Sequence, residues 1–194
     1  ERTNQCLQTS LMARRLSLEE TVNGKTHKWV LGTLTFSHFA QHFYAGAPVI
    51  FQNIRTDLGL RFVDIGIMTG TSNTIAGSLQ LTYSIAGRRL PKTTLLGSAS
   101  LAISLGCLLM GLADRFLGLL LGSAIAGIGL AGIHPTSTSI IAQELGRKSY
   151  VRALSIFYGL GYVGNIISPL LLSTIALSTS WRWSFFFLAL IPRP

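Results

Sequence analysis

Five stretches of this sequence, and the start of a sixth, are too long and too apolar for a water-soluble fold. They run at roughly 29–51, 63–86, 93–113, 116–141, 152–177 and from 183 onward. A helix needs about 20 mostly apolar residues to cross the hydrocarbon layer. The backbone inside lipid must satisfy its own hydrogen bonds, which leaves helices or closed barrels. A barrel would show alternating segments of about 10 residues, and these runs are longer and do not alternate. The expected fold is an all-α integral membrane protein. It is a bundle of six transmembrane helices, the sixth truncated by the end of the sequence. A polar cytoplasmic tail over 1–28 is expected to precede it.

Composition agrees with this reading. Only 12% of residues are charged, against about 25% in soluble domains. That excludes an ordinary soluble enzyme, a disordered regulator and a coiled coil. The net charge of +9 does not point to nucleic acid, because the basic residues sit in short clusters between the apolar runs. With the N-terminus cytoplasmic, twelve of the sixteen Lys and Arg fall on inside segments, as the positive-inside rule requires. Arg55, Arg61, Arg115 and Arg182 fall outside. Trp29, Trp181 and Trp183 fall at expected helix ends, where aromatic anchors sit. Cys6 and Cys107 give neither a disulfide framework nor a metal spacing. A start at Glu1 and an end at Pro194, within an apolar segment, are the pattern expected of a piece of a longer chain.

Small residues recur at four-residue spacing. Gly66, Gly70, Thr74 and Ser78 line one face of the second helix. Gly118, Gly122 and Ala126, and further on His134, line a face of the fourth, with Ser123, Gly127 and Ala131 beside them. Such seams let membrane helices approach closely. They pack helices together, and they can also slide during a conformational change. Sequential helices, joined by short turns, are expected to pack as antiparallel neighbours.

The first helix carries polar groups inside its apolar run. Thr33, Ser37 and Gln41 share one stripe, and His38 and His42 an adjacent one. Ionisable groups are costly against lipid, so this face is expected to line a cavity or the bundle interior. The deep interior holds no Asp or Glu. A proton carrier in this half would be His38, His42 or His134, with Asn165 as a further interior polar group. The same histidines allow a plain hydrogen-bonding reading. Two His at i, i+4 occur in zinc helices, but Phe39 replaces the glutamate of that motif, so no metal or cofactor is expected. Pro169 lies four residues after Asn165 and frees a carbonyl in the fifth helix.

These features resemble the N-terminal half of the major facilitator superfamily, over about 28–194. Gln80-x3-Ser84-Ile85-Ala86-Gly87-Arg88-Arg89 matches the Gly-Arg-Arg end of that family's loop motif but lacks its leading Gly, its Asp and its first Arg. Gly164-x3-Ser168-Pro169 stands where the family's antiporter motif has Gly-x3-Gly-Pro. The family's helix 4 arginine is absent. Ser37-His38, Gly132-Ile133-His134-Pro135 and Gly161-x2-Gly164-x3-Ser168-Pro169 are similar to the fosmidomycin-resistance-like branch of drug exporters.

The resemblance implies alternating access between two six-helix bundles around a midplane site. It implies export of a small hydrophobic or amphiphilic molecule against protons. Ser37, His38, Gln41, His42, His134 and Asn165 would line the substrate cavity. Gly87, Arg88 and Arg89 would form the cytoplasmic gate loop, and Gly161, Gly164, Ser168 and Pro169 the helix 5 motif. The third helix would be peripheral. Partners would be the substrate, protons, the bilayer of the plasma membrane and a second six-helix half. The alternatives are a proton-coupled nutrient or anion symporter and a non-transporting half-transporter subunit. A membrane enzyme is disfavoured, because neither Gly-x-Ser-x-Gly nor an intramembrane aspartate pair is present.

Overall fold

The computed structural model describes residues 27–191, apart from the side chains of residues 146–148. Residues 1–26 of the expected polar tail lie outside the described residues. The described chain is helical throughout, with short connections. Helix α1 spans 27–45 and is followed by a 3-10 turn at Ala47–Ile50. The remaining helices are α2 (Phe51–Asp57), α3 (Phe62–Ala86), α4 (Lys92–Gly111), α5 (Phe116–Glu144), α6 (Gly146–Ser178) and α7 (Trp181–Leu190). By length and composition, α4, α5 and the Ser149–Ser178 part of α6 are each apolar enough to cross a membrane. Helix α3 is diluted by Thr69, Thr71, Ser72, Asn73, Thr74 and Gln80.

The first apolar run is not one helix. Pro48 has no N–H to give, and a proline ring crowds the preceding turn. The path therefore tightens after Tyr44, with the Gly46 N–H shared between the carbonyls of His42 and Phe43. It passes through the 3-10 turn and resumes as α2. The break rests on α6, where the Ser168 hydroxyl also donates to the Phe43 carbonyl at 2.7 Å.

The short turns do not make neighbours of α3 and α4. Both pack chiefly on α5, which lies between them. Glycines set these crossings. A Cβ on Gly106 of α4 would stand 2.5 Å from the Gly122 carbonyl and 2.6 Å from the Ala126 nitrogen of α5. A Cβ on Gly127 would meet the Ser72 carbonyl of α3 at 2.7 Å. The α5 seams are therefore packing surfaces, the form in which small residues hold membrane helices together. The α3 stripe differs. A Cβ on Gly66, Gly70 or Gly77 would meet nothing within 4 Å, and α3 buries Met68 and Ser72 instead. The packed and open faces of α3 are thus opposite each other.

Helix α4 sits at the periphery. It buries Leu96, Ala99, Ile103, Cys107 and Met110 against α5 and α7, while Leu101, Leu105 and Leu108 are exposed. That outward leucine row suits contact with lipid. At the other end of the bundle, Trp181 of α7 donates its indole N–H to Asp57 at 2.9 Å. Arg182 donates to the Gly111 carbonyl at 3.2 Å and the Ala113 carbonyl at 2.6 Å, satisfying the C-terminal end of α4. Helix α3 starts on a capping box, in which the Arg61 backbone N–H donates to the Asp64 carboxylate at 2.8 Å. The same carboxylate holds the Arg61 guanidinium above its usual pKa.

Candidate functional site: a histidine cluster between three helices

The helical repeat puts His38 and His42 on one face of α1, one turn apart. That face is laid on α6. A Cβ on Gly161 would fall against the His38 ring, and one on Gly164 would meet the Phe39 carbonyl at 2.5 Å and His42 Cβ at 2.9 Å. The spacing Gly161-x2-Gly164-x3-Ser168 therefore forms the seat of α1, with Ser168 closing it at the Phe43 carbonyl. Here the sequence motif has a local mechanical meaning: it lets two imidazole rings lie between two backbones.

The rings are bonded end to end. His38 Nδ1 lies 2.9 Å from the Phe157 carbonyl oxygen. His42 Nδ1 lies 2.9 Å from Asn165 Oδ1. The two Nε2 atoms face each other at 2.9 Å. His38 is fully buried, and His42 is 8% exposed. His134 of α5 joins from the side, its ring centroid 4.9 Å from His38 and 6.4 Å from His42. The candidate residues are thus brought together by three different helices, α1, α5 and, through Asn165, α6.

Aromatic rings enclose the cluster. Phe157 stacks on His38 at 4.3 Å, Tyr158 meets it edge-on at 5.4 Å, and Tyr162 lies 4.7 Å from His42. Sequence reasoning passed over these three. Tyr158, Tyr162 and Asn165 recur at i, i+4, i+7 along α6, and that spacing was the available signal. Among the described residues, no group of three or more His, Cys, Asp or Glu is arranged to hold a metal ion.

Beside the cluster is a cavity of about 410 Å³ between α1, α3 and α5, lined in part by Gln41, His42, Asn73, Gln80, Leu130 and His134. Gln41 Oε1 and His134 Nδ1 are buried without a hydrogen-bond partner. Buried polar atoms are normally paired, so these two are available to a ligand. Ser37 is also buried and its hydroxyl unpaired. Thr33, on the same expected stripe, is exposed. Asn165 is exposed apart from its bond to His42, so it sits at the rim of the cluster and not in the interior.

The gate-loop residues lie apart from this cluster. Gly87 and Arg88 border a separate pocket with Lys92, whose ammonium is bonded to Ser139 of α5. Arg89 is exposed. The four acidic residues described, Asp57, Asp64, Asp114 and Glu144, all lie at helix ends or in connections.

This geometry can be compared with known proteins. The family model of the Major Facilitator Superfamily matches residues 32–192. The chain belongs to the Major Facilitator Superfamily. That is a family of membrane transporters, not of enzymes.

Among the curated relatives of this superfamily member is the fosmidomycin resistance protein of Escherichia coli (strain K12). It is 26% identical over 156 residues, covering 80% of this chain and 38% of that protein. An MFS thioclapurine efflux transporter of Claviceps purpurea (strain 20.1) is 29% identical over 122 residues, covering 63% of the chain and 22% of the relative. The chain therefore spans well under half the length of these relatives. The fold also matches a bacterial homolog of the human lysosomal transporter Spinster, solved in an inward-facing and occupied conformation. The TM-score is 0.75 at 21% identity, over 84% of this chain and 41% of that one.

Proposed function

We propose that this chain is the N-terminal half of a secondary active transporter that exports a small amphiphilic molecule in exchange for protons. The observation that carries the reading is the His38–His42–His134 cluster, in which His38 and His42 are buried. Ionisable groups are expensive within a membrane span and mark ion or substrate pathways. Imidazole is the side chain whose ordinary titration lies nearest neutral pH. No carboxylate competes for that role in the described interior. The adjoining cavity supplies a place for substrate, with Gln41 Oε1 and His134 Nδ1 as its unpaired polar atoms.

The open faces support a second bundle as partner. Asn73 and Gln80 on α3, and Tyr162 and Asn165 on α6, are polar and exposed, and polar groups of this kind are not stable against lipid. A second six-helix half would cover them and complete a midplane site. The reading places the N-terminus on the cytoplasmic side, which the distribution of Lys and Arg supports, and takes the plasma membrane as the location. The similarity to the Claviceps purpurea efflux transporter favours export over uptake.

The test is proton flux. Everted vesicles holding the full reading frame are loaded with a pH-sensitive dye and given a proton gradient, then a panel of amphiphilic compounds. Dissipation of the gradient by a compound is the expected result, with loss of that response in His38→Ala and His134→Ala variants that still insert. Unchanged response in both variants removes the site assignment. Proton entry into the lumen on addition of a compound identifies the proton-coupled uptake alternative.

A further inference from the structure

The outer partners of His38 and His42 constrain where their protons sit. A carbonyl oxygen only accepts, so His38 Nδ1, 2.9 Å from the Phe157 carbonyl, carries a hydrogen. A neutral imidazole has one N–H, and its other nitrogen is a lone pair. Neutral His38 therefore presents a bare Nε2 to His42. On the other side, His42 Nδ1 faces the oxygen of the Asn165 amide, which likewise only accepts. Neutral His42 then also presents a bare Nε2. Two lone pairs would face each other at 2.9 Å in a site where His38 is fully buried. Leaving buried polar atoms unpaired costs about 1–3 kcal/mol, so this arrangement is not a resting state.

Only two arrangements close the network. In the first, one added proton lies between the two Nε2 atoms, bonded to one and accepted by the other, and the pair carries a single positive charge. Asn165 keeps its oxygen toward His42. In the second, the pair is neutral and the Asn165 amide has turned end for end. Its NH2 now donates to His42 Nδ1, and His42 Nε2–H donates to the bare Nε2 of His38. The backbone carbonyl of Phe157 cannot turn in this way, so Asn165 is the one outer partner able to follow the proton.

We propose that His38 and His42 together form a binding site for one shared proton, and that the Asn165 amide turns over as that proton comes and goes. This rests on reading the cluster as the proton-carrying site of a transporter, and names its stoichiometry and its moving part. The titratable groups facing the pair are His134 from α5 and Tyr158 and Tyr162 from α6. Among the described residues, no carboxylate, lysine or arginine is a hydrogen-bond partner of either ring. Asn165 is exposed at the rim. With the proton bound, its NH2 points outward as a donor. With the proton gone, its oxygen points outward as an acceptor. A transported compound that offers a hydrogen-bond donor to this rim thus competes with the proton.

The experiment is a pH titration of the full reading frame in lipid nanodiscs, labelled with 15N in its histidine rings and asparagine side chains. Variants His38→Gln, His42→Gln and Asn165→Leu assign the signals. The expected result has three parts. His38 Nδ1 stays protonated throughout. His42 Nδ1 loses its hydrogen and both Nε2 signals shift in that one single-proton step. The Asn165 side-chain signal moves in that same step. Two separate steps, a His42 Nδ1 that keeps its hydrogen through the step, or an Asn165 signal that does not follow the rings would each overturn the proposal. The titration uses no substrate, so its failure is distinct from failure of export. A single shared step in a chain that exports nothing supports the proton site against the transport reading, and two separate steps in an active exporter do the reverse.

Discussion

The His38 ring occupies the space that a side chain on Gly161 would need: a Cβ there would fall against His38 Nδ1 and lie 2.6 Å from its Cγ. The titratable centre of α1 is thus held in register by the absence of a side chain on α6. Gly161→Ala is expected to displace the ring, break its bond to Phe157 and destabilise the chain by about 1–3 kcal/mol, the usual cost of overpacking. Gly159 has nothing within 4 Å, so Gly159→Ala should change stability by no more than about 1 kcal/mol, and in the favourable sense, through helix propensity. Thermal melting of both variants in detergent checks the contrast.

Glycines on α4 and α3 separate packing within this bundle from packing against another. Gly106 approaches the backbone of Gly122 and Ala126, and backbone has no rotamer to give. Gly106→Ala should cost about 1–3 kcal/mol and loosen the α4–α5 contact. Gly70→Ala, on the open face of α3, should leave the melting temperature of the chain unchanged or raised. In the full transporter the same Gly70→Ala change should lower export, because the small-residue face then meets a partner. Equal transport in wild type and Gly70→Ala would remove that face from the bundle interface.

The bond from Trp181 to Asp57 ties the start of α7 to the end of α2 at 2.9 Å, with Trp181 buried. Removing the acceptor leaves a buried indole N–H unpaired. Asp57→Ala should destabilise by about 1–3 kcal/mol, while Asp57→Asn keeps a carbonyl acceptor and should retain most of the stability. A denaturation midpoint for each variant decides the matter, and equal losses would show that charge, not hydrogen bonding, holds the tie.

Ser168 satisfies the Phe43 carbonyl at the break in the first span. Ser168→Ala is expected to lose about 1 kcal/mol, the net worth of a typical hydrogen bond. Ser168→Val adds bulk where a Cβ of Gly46 already has no room and should lose more. Hydrogen exchange at Gly46 and Ala47 would report the loosening directly, with faster exchange in both variants.

Much of the site was readable in the sequence because it is carried by spacing within single helices. His38 and His42 share a face at any i, i+4 positions, and the Gly161-x2-Gly164-x3-Ser168 run marks a close approach. What the spacing could not give was the partner of each face. The Gly66–Gly70 and Gly122–Ala126 stripes read alike, yet one is open and the other packed. Asn165 reads as an interior residue and stands at the rim, because α6 turns Gly161 and Gly164 inward toward α1 and leaves the neighbouring positions outside.

By itself the sequence determined that this chain is helical and spans a membrane, since those properties sum over the length of each apolar run and need no knowledge of neighbours. Local rules also set where helices could start and stop, apart from the break at Pro48 inside the first run. Only the tertiary structure decided that α3 and α4 share α5 instead of each other, and that His38, His42, His134 and Asn165 come together from α1, α5 and α6. Those contacts depend on how far two backbones can approach and at what angle, a property of pairs of helix surfaces in three dimensions.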